Sequence, residues 1–341
     1  MIMNVGVVGA TGHTGEELIG VLLNHPNVRI TRLYNSGAEN QVISDVFPKF
    51  KNRIELVCKK ADIKEISRDC DIIFLALPHT VSMAIAPKIL KAGRKVIDLS
   101  ADYRLKDAVV YEKFYKVKHT DKQNLKTAVY GLPEIYRAVI KTAKLVANPG
   151  CYPTCAILSL APLVAFDLVE LDSIIIDAKS GVSGAGKKLL KDFLFSEVDE
   201  DFRAYKINEH QHIPEINQLL SRLAAQKINV TFVPHLLPLD RGILETIYIK
   251  KIKNPKFKNQ KVIELYRKFY KKEPFVRIRK ENEFPRIKDV AGTNFCDIGI
   301  KEESGSIIIV AAIDNLLKGA AGQAVQNMNI MCNFPEYLGL L

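Results

Sequence analysis

Cys151 stands in the run Ala147-Asn148-Pro149-Gly150-Cys151-Tyr152-Pro153-Thr154, where an apolar stretch ends, a Pro-Gly turn follows and a helical pattern begins. Pro153 fits such a start, because first-turn amides have no intrahelical acceptor to lose. The run therefore puts the Cys151 thiol at the positive end of a helix dipole. That position favours the thiolate, the form that attacks a carbonyl. A free cysteine is more often a small core residue, so the bland reading stays open for Cys151 taken alone, and Cys155, one turn further on, reads as core.

A second reactive cluster is His210-Gln211-His212-Ile213-Pro214-Glu215, with Pro214 and Glu215 in the first turn of a helix. Two imidazoles and a carboxylate can supply a general acid or base and the group that orients it. They can equally be loop residues without chemistry. A metal held by Cys151, Cys155, His210 and His212 is not expected: His-x-His lacks zinc-finger spacing, and a zinc thiolate would consume the nucleophile.

The segment Gly9-Ala10-Thr11-Gly12-His13-Thr14-Gly15 follows a first strand and opens a helix at once. Glycines then occupy the tight turn, the backbone approach and the helix packing contact, and a pyrophosphate can sit on the helix N-terminus near Thr11, His13 and Thr14. The end of the second strand reads Leu33-Tyr34-Asn35-Ser36-Gly37, with no acid to bind a ribose 2′-hydroxyl. A 2′-phosphate meets no repulsion there and can accept from Ser36 or Asn35, so NADP is the expected cofactor. The loop Lys179 to Lys187 carries hydroxyls and backbone amides suited to phosphate, with Ser180, Gly181 and Gly184 as candidates; a plain surface loop is the alternative. Arg241 is a candidate carboxylate clamp and equally a salt-bridge partner.

These residues need a scaffold, and its outline is legible. Short apolar runs (Met3 to Val8, Val28 to Tyr34, Ile54 to Cys58, Ile72 to Ala76, Lys95 to Leu99, Leu145 to Ala147) alternate with helical patterns such as Gly15 to Leu23 and Val81 to Ala92, the latter stopped by Gly93. That alternation predicts an α/β, doubly wound Rossmann-type nucleotide domain over residues 1–147. After Cys151 come a helix to about Phe166, a helix from about Pro214 and long β-rich runs, which predict a second, α+β domain over 148–313 that carries catalysis, substrate and oligomerisation. The stretch Leu316 to Met331, apolar on one face, is expected to return to the first domain within 314–341.

The composition limits the function classes. With 341 residues and 48% hydrophobic content the chain can bury more than one core. Its longest apolar run, Cys155 to Phe166, is broken by Ser159 and Pro162, so no membrane span is expected. Six unpaired-looking cysteines without a secretory leader favour reduced thiols and the cytoplasm. The net charge of +11 suits anionic ligands, while the densest basic stretch, Lys250 to Lys261, lacks interleaved aromatics and reads as a solvated face, not a nucleic-acid patch.

Taken together, the glycine turn, Ala76-Leu77-Pro78-His79, Asp98-Leu99-Ser100-Ala101-Asp102-Tyr103-Arg104, Tyr130-Gly131-Leu132-Pro133-Glu134, the Cys151 segment, Ser180 to Gly186, His210 to Glu215 and Asp314 to Gln323 resemble the semialdehyde dehydrogenase group, in its arginine-pathway branch. The resemblance runs nearly end to end. It implies NADPH-dependent reduction of N-acetyl-gamma-glutamyl phosphate to the semialdehyde through a cysteine thioester. It also implies Cys151 as nucleophile, His210 as acid/base, Glu215 as the carboxylate orienting it, Asn315 near the cofactor, and a homodimer or tetramer. Arg104, His212 and Arg241 are the candidates for the substrate. The chain departs from the group's pattern at Thr80, where glycine is expected, at Cys155, where a smaller or hydroxyl residue is expected, and in having no arginine after the second strand. The rival readings are a lysine-pathway relative acting on an aminoadipyl phosphate borne by an acidic carrier protein, which a charge of +11 would suit, and a regulator that binds nucleotide without turnover.

Overall fold

The computed structural model of the chain describes residues 2–341 apart from 36, 38, 188–190, 253, 255–260 and 304. It divides into two compact units: Met1–Pro149 with Ala320–Leu341, and Gly150–Gly319.

The first unit is built on a seven-stranded sheet of β1 (Met3–Val8), β2 (Val28–Tyr34), β3 (Cys58–Lys59), β4 (Ile72–Leu75), β5 (Lys95–Asp98), β6 (Val129–Tyr130) and β7 (Leu145–Ala147), in the order β3-β2-β1-β4-β5-β7-β6. Each pairing is parallel. The order reverses between β1 and β4, which makes the carboxyl ends of those strands the switch point of a doubly wound fold. Helices His13–Leu23 and Ser82–Lys91 cover the sheet, and Gly93 ends the second in a left-handed conformation, as expected. The Ile54 to Cys58 run pairs only at its end: Cys58–Lys59 joins β2, and Val57 bridges Val42.

The final helix, Ala321–Met331, is buried at every residue, its polar side included. Its apolar side, with Ala324, Val325 and Met328, joins the core formed with Leu18, Leu22 and Ile97. Its amides are accommodated because they meet backbone carbonyls. Gln323 Nε2 and Asn327 Nδ2 donate to Gly131 O at 3.1 and 2.8 Å, and Asn329 Nδ2 donates to Leu338 O at 2.9 Å.

The second unit is built on a mixed seven-stranded sheet of β8 (Ile175–Ser180), β9 (Arg203–Ala204), β10 (Thr231–Leu236), β11 (Ile243–Lys250), β12 (Val276–Ile278), β13 (Cys296–Glu303) and β14 (Ser306–Ile313), in the order β12-β13-β14-β11-β8-β10-β9. Among the described residues β10 with β8 and β12 with β13 run parallel, and the other pairings of this sheet are antiparallel. Helix Cys151–Ala165 is buried over almost all its length and packs on β11 and β14 as well as on helix Ile213–Ala224.

Along β11 the buried positions alternate as Ile243, Glu245, Ile247 and Ile249, so an acid occupies a core position beside the Cys155 thiol. Burial holds the Glu245 carboxyl well above the ordinary carboxylate range, against the weaker opposing pulls of Cys155 and Lys179. A carboxyl whose folded pKa is raised costs nothing at acid pH. It costs progressively more as pH rises from the unfolded value toward the folded one, by about 1.4 kcal/mol per pH unit in that window. Glu245→Gln is therefore expected to melt with the wild type near pH 4.5 and at increasingly higher temperature than it toward pH 7.5. A difference that does not change with pH would rule this out.

Candidate functional site

In the first unit the glycine turn has three glycines with three different reasons. Gly9 has φ of +88°, and a Cβ there would lie 2.1 Å from Ala76 O, so both conformation and space require glycine. A Cβ at Gly15 would lie 2.2 Å from Gly9 O, the close helix packing anticipated for the last glycine. At Gly12, the residue preceding helix His13–Leu23, an added Cβ would meet only Gly9 O at 3.6 Å. Among the described residues no protein contact demands glycine at 12, which fits a pyrophosphate passing over it at the helix N-terminus. Gly12→Ala is accordingly expected to weaken NADPH binding by about tenfold, ~1.4 kcal/mol, with little loss of melting temperature, whereas Gly15→Ala should lose fold stability. Fluorescence titration with NADPH alongside thermal melts checks this, and wild-type affinity in Gly12→Ala would remove the turn from the cofactor site.

Ser36 lies outside the described residues. Arg32, on β2, reaches Asp69 Oδ2 with its Nη2 at 2.6 Å and donates from Nη1 to Thr31 O, so the structure engages it within its own sheet layer.

Thr80 takes φ of +76°, the left-handed region where a β-branched residue is strained, which accounts for the glycine expected there. Two bonds hold that turn: Asp102 Oδ1 accepts from Thr80 N–H at 2.6 Å, and Asp102 Oδ2 accepts from Met83 N–H at 3.0 Å at the start of helix Ser82–Lys91. Asp98, fully buried at the end of β5, accepts from the Ser100 hydroxyl at 2.8 Å. Burial first, and the Asp102 charge second, push its carboxyl up to about 6. Arg104 is buried and donates from Nε to Asn148 O and from Nη2 to Leu99 O, both at 2.8 Å, so this substrate candidate braces backbone in the first unit.

In the second unit Cys151 is the first residue of its helix and is partly exposed, while Cys155 is fully buried. The turn before Cys151 is anchored from two directions. Gly150 N–H donates to Glu215 Oε1 at 2.9 Å, and Gly150 O accepts from both the amide and the hydroxyl of Thr154 at 2.9 Å. Glu215 thus binds the peptide next to the cysteine.

The His210 ring is oriented by backbone: His212 N–H donates to His210 Nδ1 at 3.1 Å, which leaves the ring proton on Nε2. The rings of Tyr152, Phe232 and His212 surround it at centroid distances of 5.5, 5.6 and 4.8 Å. His212 itself is buried immediately before helix Ile213–Ala224.

Two tyrosines and a glycine complete this neighbourhood without having announced themselves in the sequence. Tyr205 OH lies 3.5 Å from His210 Nε2 and 3.4 Å from Tyr152 OH. Burial, with the nearby Cys151 charge, pushes Tyr205 up to about 12, and burial raises Tyr152 too. Both hydroxyls therefore stay protonated as donors. A Cβ on Gly319 would lie 2.7 Å from Cys151 Cβ and 2.5 Å from Asn315 O, so only glycine lets this segment pass the nucleophile candidate. The one sequence signal for it is its place within Asp314 to Gln323.

The remaining candidates form a loop cluster. Asn315 Oδ1 accepts from Gly242 N–H at 2.6 Å and its Nδ2 donates to Ser183 Oγ at 3.0 Å; Gly181 N–H donates to Gly242 O at 2.9 Å. Ser180 is buried beside Tyr152, Gly184 is exposed, and Arg241 reaches the buried Asp314 carboxylate at 3.3 Å. The structure thus gathers Cys151, His210, His212 and Glu215 in one place and Ser180, Gly181, Gly184, Arg241 and Asn315 in an adjoining loop cluster of the same unit. The glycine turn and Arg104 belong to the other unit. Among the described residues no group of three or more histidine, cysteine or acidic side chains is arranged to hold a metal ion.

Comparison with known proteins places this architecture. Residues 4–143 match the semialdehyde dehydrogenase NAD binding domain and residues 151–315 the semialdehyde dehydrogenase dimerisation domain. An N-acetyl-gamma-glutamyl-phosphate reductase of Pelotomaculum thermopropionicum is 48% identical, covering 100% of this chain and 98% of the relative. One of Citrifermentans bemidjiense is 49% identical, covering 99% and 98%. Among solved structures, aspartate semialdehyde dehydrogenase II of Vibrio cholerae complexed with ASA aligns with a TM-score of 0.73 at 17% identity, over 98% of this chain and 99% of that one. The aspartate semialdehyde dehydrogenase of Candida albicans with NADP aligns at 0.72 and 16%, over 97% and 99%. At such identities these two speak for the fold.

Proposed function

The chain belongs to the N-acetyl-gamma-glutamyl-phosphate reductase family, and from that premise we propose that its catalytic thiol is Cys151, served by His210 and Glu215. It is an NADP-dependent oxidoreductase of arginine biosynthesis that converts N-acetyl-gamma-glutamyl phosphate to the semialdehyde. The observation that carries the assignment is the placement of Cys151 at a helix start whose preceding amide is held by Glu215, with His210 keyed by the His212 N–H in the same unit.

The thiolate of Cys151, its proton already given up to solvent, attacks the acyl carbon, and the carbon–oxygen bond to phosphate breaks so that phosphate leaves as its anion. NADPH, when bound, supplies a hydride to the thioester carbon. The thiohemiacetal on Cys151 then collapses: its oxygen re-forms the carbonyl, the carbon–sulfur bond breaks, and the sulfur takes a proton from solvent. In both tetrahedral adducts His210 Nε2–H donates to the carbonyl oxygen as it becomes negative, as an oxyanion-hole donor does. Glu215 fixes the peptide carrying the cysteine. The glycine turn is the cofactor candidate of the first unit, and Ser180, Gly181, Gly184 and Asn315 are those of the second; Arg104 in the first unit and Arg241 and His212 in the second are retained as candidates for the substrate.

With the acid missing after β2, NADP is expected to exceed NAD in kcat/KM by at least about tenfold, ~1.4 kcal/mol. Initial rates with both cofactors decide, and equal use of NAD would reject it. The direct test of the function is the reverse reaction with N-acetylglutamate semialdehyde, phosphate and NADP. Activity with the free semialdehyde supports the arginine-pathway reading, and activity only on a carrier protein supports the lysine-pathway alternative. The match of residues 151–315 to a dimerisation domain supports a homo-oligomer. Six free cysteines support a reducing, cytoplasmic location, and among the described residues no helix is long and apolar enough to cross a membrane.

A further inference from the structure

Asn148 lies three residues before Cys151 and is almost fully buried, yet each of its polar groups is engaged. Its N–H donates to Asp98 O at 2.8 Å, and its carbonyl accepts from Arg104 Nε at 2.8 Å. Its Oδ1 accepts from Asn327 Nδ2 at 3.0 Å, and its Nδ2 donates to Ala320 O at 3.0 Å.

The last of these bonds has a topological meaning. The chain leaves the first unit after Pro149 and re-enters it at Ala320. One side-chain amide therefore ties the outgoing passage to the returning one. In the second unit the same two passages meet again, where Gly319 packs on Cys151 with no room for a Cβ. An asparagine is suited to this post because it presents an acceptor and a donor at once in a buried place, where either group left unpaired is costly.

Resting on the reading of Cys151 as nucleophile, we propose that Asn148 is a positioning residue for the thiol step. Its amide clamps the outgoing and returning chain together and fixes the peptide from which Cys151 projects. The asparagine acts through Pro149 and Gly150, whose N–H is held in turn by Glu215.

The test compares Asn148→Ala, Asn148→Asp and Asn327→Ala with the wild type. Asn148→Asp keeps the acceptor for Asn327 and loses the donor to Ala320, and Asn327→Ala does the reverse. Three quantities are read below the melting transition: the pH profile of Cys151 alkylation by iodoacetamide, followed by mass spectrometry; kcat and KM; and NADPH affinity. Both Asn148 variants should shift the alkylation profile and lower kcat by roughly 10- to 100-fold, the scale of a misplaced reacting group, with NADPH affinity within about threefold. Asn327→Ala should show the same changes to a smaller degree. A role confined to stability would lower the melting temperature and leave the alkylation profile and kcat at wild-type values, and that result overturns the proposal. Should Asn148→Ala fail to fold, the other two variants decide by the same criteria. Alkylation needs no turnover, so an error in the nucleophile assignment shows up separately, as activity surviving in Cys151→Ser.

Discussion

Cys151→Ser is expected to abolish turnover, with a loss on the order of 10⁴ or more, while binding NADPH as the wild type does. Serine fills the same space at the helix start and preserves the bonds of Gly150 to Glu215 and Thr154, so the substitution isolates the chemistry of sulfur. A hydroxyl is not ionised by a helix dipole at neutral pH, and an ester would be a poorer acceptor of hydride and a poorer leaving group than a thioester. Nor can the neighbouring cysteine substitute. Cys155 is fully buried, and burial, followed by the Cys296 thiol and the Glu245 charge, holds its thiol well above the ordinary range. Incubating the protein with acyl phosphate in the absence of NADPH and mapping the adduct by mass spectrometry checks the assignment. A modified Cys155, or an active serine variant, would end it.

His210→Asn is expected to slow reduction by roughly 10² to 10⁴ while leaving acylation of Cys151 detectable. Because His210 Nδ1 accepts from the His212 amide, the ring is fixed as a donor at Nε2, and an asparagine amide is too short to offer its proton at the same point. Acylation needs chiefly the thiolate, which the helix N-terminus supports by itself. His212→Asn should cost less, since its backbone N–H, the group that orients His210, survives the change. Single-turnover experiments separate the steps: phosphate release reports acylation and loss of NADPH absorbance reports reduction. A larger loss at His212 than at His210 would exchange their roles, and loss of acylation in His210→Asn would assign that ring to the thiol.

The parallel strands β1, β4, β5 and β7 were legible because largely buried strands read as short apolar runs between helix patterns, β2 because Val28 and Ile30 alternate with Arg29 and Thr31 ahead of Leu33-Tyr34, and Gly93 because it marks a helix end by a conformation only glycine adopts at no cost. β6 was not, since two residues carry no periodicity. The polar face of the last helix was not legible: Gln323, Asn327 and Asn329 look like solvent-facing residues until the carbonyls that meet them, over a hundred positions away in the case of Gly131, are known. The site divides the same way. Cys151 and the histidine segment were visible as local patterns. The bond from Glu215 to Gly150, the approach of Gly319 to Cys151 and the place of Tyr205 beside His210 are products of tertiary contact between distant segments. Thr80 lay between these cases, since the departure from an expected glycine was visible in the sequence, whereas its left-handed backbone and the Asp102 carboxylate that holds it were not.

The discontinuity of the first unit imposes an order on the nascent chain. Its core includes Ala321, Ala324, Val325 and Met328, which leave the ribosome only after the 170 residues from Gly150 to Gly319. At about 5 to 20 residues per second that interval is roughly 10 to 35 s, long compared with the folding of most domains. The second unit, continuous in sequence, can close during that time. The glycine turn waits on an incomplete layer, so the nucleotide fold that is first in the sequence is last to be finished, and its exposed sheet is the surface a chaperone would have to guard.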